Sequence, residues 1–108
     1  MARAVPAAMT DEQVQSALVP LPEWALVGEA IQRTYSFKDF VVSMSFVDQV
    51  AAAAESAQHH PDILIRYNRV TLTLATHDAG GITSKDFVLA RACDQMASQH
   101  AAPLKSKG

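Results

Sequence analysis

Three of the four histidines of this 108-residue chain fall in two short segments, Glu55-Ser56-Ala57-Gln58-His59-His60-Pro61-Asp62 and Thr76-His77-Asp78. Histidine is the side chain whose unperturbed pKa lies nearest neutrality, so it is the natural residue for proton transfer. Glu55 stands near a helix end, where the macrodipole disfavours negative charge. It is therefore either a solvated surface residue or a residue with a specific partner. If helical geometry persists to Gln58, that partner is His59, one turn on. A carboxylate that accepts a hydrogen bond from an imidazole favours the charged ring and fixes its tautomer. His59 and His60 are neighbours, so their side chains diverge; the alternative for His60 is a residue that only turns the chain before Pro61. His77 follows a strand end, where loops carry functional residues disproportionately; the alternative is a ring that only hydrogen-bonds its loop. His100 is assigned no role.

Other chemistries fit less well. A metal site needs three histidines, or two with a carboxylate. Adjacent histidines seldom chelate one ion together, and no pair spaced i, i+4 occurs here. Cys93 is the single cysteine, which excludes an intrachain disulfide and a cysteine zinc cluster and makes a reducing cytoplasm the default reading. Ser56 and Ser84 lack the glycine elbow of a nucleophilic serine. Asp86 suits the cap of a helix as well as a site. Lys85, in the first turn of that helix, opposes its dipole, so it is solvated or turned toward an anion or an electron-rich ligand edge.

The elements that must position these residues follow from local pattern. Thr10 with Gln13 forms a capping box, opening a helix that runs to about Leu18 with Val14, Ala17 and Leu18 on one face; Pro20 and Pro22 end it. Trp24–Val27 and Ala30–Phe37 read as a hairpin about Gly28-Glu29, with Ile31, Tyr35 and Phe37 on one face and Arg33 interrupting it. Ser36-Phe37-Lys38-Asp39 suggests a second capping box. After it comes the strongest helix, with an expected buried stripe of Phe37, Phe40, Val41, Met44, Val47, Ala51 and Ala54, stopping near Gln58 because of Pro61. Asp62–Tyr67 and Arg69–Thr76 form a second hairpin, Val70, Leu72 and Leu74 alternating with Thr71, Thr73 and Ala75. Thr83 with Asp86 caps a last helix whose stripe is Phe87, Ala90, Cys93, Met96 and Ala97.

The order α-β-β-α-β-β-α describes an α+β domain: a four-stranded antiparallel sheet with three helices packed on one face. The expected organisation is a loose lead over residues 1–9, one domain over 10–99 and a fraying tail over 100–108. Hydrophobic content of 49% against 19% charged residues suits a soluble globular chain. A net charge of −2 without a basic cluster disfavours nucleic acid, and no apolar run is long enough to span a membrane.

The His59-His60-Pro61-Asp62 element, Tyr67-Asn68-Arg69-Val70, and Thr76-His77-Asp78-Ala79-Gly80-Gly81-Ile82-Thr83-Ser84-Lys85-Asp86 together resemble the pterin-4a-carbinolamine dehydratases. The resemblance extends to Trp24 and Phe37-Lys38-Asp39-Phe40, and so covers roughly Thr10 to Met96. It implies the same α+β fold and the dehydration of a 4a-hydroxytetrahydropterin to a quinonoid dihydropterin, with neither metal nor organic cofactor. It implies that His59, His60 and His77 are the active-site histidines, that Glu55 supports them, and that Asp86 and Trp24 lie near the pocket. Thr76 and Lys85 join these as residues expected to contact or support the substrate. On this reading His59 and His77 share the proton transfers, Glu55 holds His59, and His60 positions the pterin. The resemblance further implies a homodimer or homotetramer and a functional link to a pterin-dependent hydroxylase. Its rival is a non-catalytic role, since relatives also act as dimerisation partners of a transcription factor or as rubisco assembly factors; the assembly type tends to lack the histidines kept here. Ile63 stands where many relatives carry an aromatic, Lys85 where some carry arginine, and Gln58 where asparagine or aspartate is common. None of these departures removes a proton-transfer group.

Overall fold

The computed structural model of the chain describes residues 7–100, so the start of the expected lead and nearly all of the expected tail lie outside the described residues. The elements are α1 (Asp11–Leu18), β1 (Ala25–Val27), β2 (Ala30–Ser36), α2 (Phe40–Ala57), β3 (Asp62–Arg66), β4 (Arg69–Leu74), a short 3-10 turn over His77–Ala79, and α3 (Ser84–Ser98). Two of the three expected capping boxes are present. Thr10 accepts from the Gln13 amide while the Gln13 side chain accepts from the Thr10 amide, and Thr83 and Asp86 repeat the exchange at α3. Of the lead, Met9 is tied down, its amide donating to the Ile82 carbonyl at 2.8 Å.

The sheet has the order β1-β2-β4-β3 with every pairing antiparallel. Its two central strands carry the core: Ile31 and Tyr35 of β2 and Val70, Leu72 and Leu74 of β4 are buried beneath the helices. The opposite face stays polar, with Thr34 hydrogen-bonded to Thr71 and Gln32 donating to Thr73. Arg33, which breaks the apolar alternation of β2, lies 4.2 Å over the Tyr35 ring and donates to Asp94 of α3 at 2.9 Å. Asp94 Oδ1 also accepts from the Trp24 indole and the Tyr35 hydroxyl. One carboxylate thus pins the sheet to α3.

Three local expectations are corrected. The capping residue of α2 is Asp39, which accepts from the Val42 amide; Ser36 ends β2. The buried stripe of α2 is Ser43, Phe46, Val50 and Ala54. Phe40 and Val41, expected inside, are 47% and 72% exposed. The helix is apolar on most of its circumference, so three-and-four spacing alone could not select the face that docks on the sheet. Finally, α2 is stopped by its own C-terminus rather than by Pro61. Gln58 takes a left-handed conformation (φ 52°), the His59 amide donates to Ala54 O and the Gln58 amide to Glu55 O. This is the Schellman arrangement, which satisfies two orphan carbonyls and turns the chain sharply.

Candidate functional site

The reversal at Gln58 decides where the paired histidines go. The residue after a left-handed cap leaves the helix at a steep angle, so His59 turns inward toward α3 and His60 folds back over the last turn of α2. His60 Nε2–H donates to Glu55 Oε2 at 2.5 Å, with the His60 and Glu55 side chains 58% and 73% exposed. Glu55 therefore supports His60, not His59 as the helical spacing suggested. The helix stops before His59, and the continuation that would have stacked the two side chains does not exist.

His59 is buried, and its Nε2–H donates to Asp86 Oδ1 at 2.5 Å. Asp86 is fully buried in the first turn of α3, and its Oδ2 accepts from the Thr83 amide and the Thr76 hydroxyl, each at 2.9 Å. Because the Thr76 hydroxyl donates to Asp86, it must accept from the Thr83 hydroxyl at 2.7 Å. The loop between Thr76 and Thr83 is closed by the Thr76 amide donating to Gly81 O at 2.8 Å. His59, Asp86, Thr76 and Thr83 form one buried network that ties the ends of α2 and β4 to the start of α3. His77 rides on the loop this network holds.

His60 and His77 meet in one cleft of about 280 Å³, lined also by Glu29, Ala30, Asp62, Thr73, Ala75, Thr76, Gly80 and Gly81. Its floor is one end of the open sheet face, where Ala30, Thr73 and Ala75 offer a flat surface of small side chains. Thr76 belongs both to this lining and to the buried network. His59 instead lines a second, apolar cavity of about 330 Å³ between α2 and α3, with Ala53, Ala57, Ser84, Lys85, Val88, Leu89 and Ala92. Lys85 is found there, not in the cleft. Trp24 is buried against α1 and β2 and its indole N–H is committed to Asp94 at 3.0 Å; it does not line the cleft either. His100, given no role from sequence, hydrogen-bonds Gln49 and meets the Phe37 ring edge-on.

Sequence reasoning passed over Glu29 and Thr73 as cleft residues. Glu29 carries no periodic signal; its only mark is the two-residue turn it shares with Gly28. No group of three or more histidine, cysteine or acidic residues able to hold a metal ion occurs among the described residues. Among those residues, also, no helix is long and apolar enough to cross a membrane. Cys93 is buried in α3, and burial, with the nearby charge of Asp94, pushes its thiol up to about 12, so the nucleophilic thiolate is suppressed.

The family model for pterin 4 alpha carbinolamine dehydratase matches residues 7–96. A Thermomicrobium roseum protein named "Putative pterin-4-alpha-carbinolamine dehydratase" is 52% identical over 92 residues, which cover 85% of this chain and 99% of that protein. A Cyanothece protein of the same name is 49% identical over 88 residues, covering 82% of this chain and 91% of its own. Among solved structures, the transcriptional coactivator/pterin dehydratase from Brucella melitensis has a TM-score of 0.81 at 40% identity, covering 83% of this chain and 98% of its own. A pterin dehydratase-like protein identified as a RuBisCO assembly factor in the alpha-carboxysome has a TM-score of 0.62 at 22% identity, covering 74% of this chain and 93% of its own. At that identity the likeness is one of fold alone.

Proposed function

The chain belongs to the pterin-4-alpha-carbinolamine dehydratase family, and on that premise we propose that its cleft dehydrates a 4a-hydroxytetrahydropterin to a quinonoid dihydropterin and water. The observation that carries the reading is that His60 and His77 line one cleft together with the small side chains of Ala30, Thr73 and Ala75. In the reaction the C4a–O bond breaks and its electron pair leaves with the hydroxyl, which takes up a proton to become water. The ring N5–H proton is removed, and the electron pair it leaves forms the C4a=N5 bond. One group must donate a proton and another accept one, on adjacent ring atoms, and two imidazoles in one cleft can divide those tasks. No metal or organic cofactor takes part in this reading.

His60 and His77 are then the catalytic pair. Glu55 holds the His60 ring with its Nε2–H outward, which leaves Nδ1 as the nitrogen able to exchange a proton in the cleft. His59 and Asp86 are positioning residues: they act through Thr76 and the loop that carries His77. Trp24 and Lys85, expected from the sequence to contact or support the substrate, take no part in the cleft chemistry. The substrate already carries an oxygen at C4a, so the protein belongs beside a pterin-dependent hydroxylase that generates it, working as a homo-oligomer in the cytoplasm.

The test is turnover of a 4a-hydroxytetrahydropterin generated in situ. Wild-type protein accelerates quinonoid product formation, and His60→Ala and His77→Ala each lose about 10²–10⁴-fold, the usual worth of general acid–base assistance. No acceleration by folded wild-type protein would sink the proposal and leave a non-catalytic binding role, as in the assembly-type relative.

A further inference from the structure

Glu29 lines the cleft although it comes from the turn between β1 and β2, far in sequence from either histidine. Val27 pairs with Ala30, so Gly28-Glu29 is a two-residue hairpin turn, and Gly28 supplies the left-handed residue (φ +62°) such a turn requires. The turn sets Glu29 at the rim of the cleft, where its carboxylate makes no hydrogen bond or ion pair with any other described residue. We propose that Glu29 is a specificity-determining residue that recognises the aminopyrimidine edge of the substrate. The inference rests on the dehydratase reading and deepens it.

The cleft has two opposite banks. The strand order puts β2 on one side of β4 and β3 on the other, so Ala30 and Asp62 flank Ala75 and Thr73. The two banks are two strand spacings apart, about 10 Å between backbones. That width admits a flat bicyclic ring lying on the floor between facing side chains. His60 and Asp62 share one bank, separated only by Pro61; Glu29 stands on the other. The reacting C4a–N5 pair must lie near the histidines. The opposite end of the ring system then faces Glu29, and there a pterin presents a ring N–H and an exocyclic amino group side by side. Two parallel donors match the two oxygens of a carboxylate, the geometry that makes guanidinium–carboxylate forks strong and directional. Asp62 is the other acid of the cleft, but it sits beside His60. A ring held there by its amino edge would carry C4a and N5 away from the imidazoles.

A site built to pair with a donor rejects an analogue that lacks it, because a charged acceptor is left unsatisfied. The experiment compares wild type, Glu29→Gln and Asp62→Asn. It records KM and kcat on the in situ substrate, and the affinity for 7,8-dihydropterin against its 2-desamino counterpart. Wild type is expected to prefer the amino-bearing ligand by about 10- to 100-fold. In Glu29→Gln that preference narrows to roughly 3-fold and KM rises about 10-fold, with kcat changed far less. Asp62→Asn keeps the preference. If wild type turns the substrate over but Glu29→Gln discriminates as sharply as wild type, or if only Asp62→Asn loses discrimination, the assignment to Glu29 is overturned while the dehydratase reading stands. Wild type that turns over but shows no preference overturns it as well. Wild type that does not turn over removes the reading beneath it. Glu29 is exposed in a turn, so its variant is expected to melt with the wild type, and a matched thermal transition accompanies each measurement.

Discussion

Glu55→Gln and Glu55→Ala together separate the two things the Glu55 carboxylate does for His60. The pair is more than half exposed on both sides, so its contribution to stability is that of a surface ion pair, about 0.2–1 kcal/mol. Removing a negative charge from the C-terminal end of α2 returns about 0.3–1 kcal/mol of dipole interaction. The two effects oppose each other, and both variants should unfold within about 1 kcal/mol of wild type. Catalysis responds differently. Glutamine can still accept from Nε2–H through its amide oxygen, so the ring keeps its tautomer but loses its charged partner. The expected loss is about 3- to 10-fold in kcat, up to about 1.4 kcal/mol. Alanine leaves the ring free to rotate and to populate the other tautomer, and the loss should exceed 10-fold. Ring-nitrogen NMR shifts of His60 supply the second readout: the Nε2–H form dominates in wild type and in Glu55→Gln but not in Glu55→Ala. Unchanged kcat and unchanged His60 shifts in both variants would show Glu55 to be a solvated surface residue.

Asp86→Ala leaves His59, Thr76 and the Thr83 amide without their shared acceptor; breaking a buried pair costs about 3–5 kcal/mol and each kcal/mol lowers Tm by about 4–8 °C, so melting should fall by more than about 10 °C. Asp86→Asn should fall less, because an imidazole tautomer change restores one hydrogen bond; a melting shift of a few degrees in the alanine variant would refute the network's importance. Cys93 fixes a pH dependence. Burial chiefly, with the Asp94 charge, raises its thiol from 9.0 to about 12 in the fold. Between those values the unfolded chain releases a proton that the folded chain retains, so stability declines as pH rises, by up to about 1.4 kcal/mol per pH unit. Tyr35, raised by burial and then by its bond to Asp94, adds to the decline above its ordinary value of 10.0. Urea unfolding of Cys93→Ala should show a flatter slope from pH 9.0 to 10.0 than wild type, and identical slopes would disprove the assignment. Purified protein should hold no stoichiometric metal, and a chelator should leave turnover unaltered; activity lost on chelation and restored by zinc would reverse the reading of the histidines.

Features set by neighbours in the chain were legible in the sequence. The capping boxes of Thr10 with Gln13 and Thr83 with Asp86 need only a four-residue span, and the alternation of Val70, Leu72 and Leu74 with threonines needs only the period of a strand. From these the element order and the α+β architecture followed. The tertiary structure decided what several competing surfaces left open. The α2 helix is apolar nearly all round, so only docking against the sheet and α3 could expose Phe40 and Val41 and bury Ser43. Asp86 was legible as a cap, but that its other oxygen receives His59 depends on where α2 ends relative to α3. The exchange of partners at Glu55 has the smallest cause. One left-handed residue, Gln58, turns His59 inward and His60 back over the helix. A dihedral of that kind, at a residue other than glycine, is fixed by the packing and hydrogen bonds around it, so residue types and spacing alone do not reveal it.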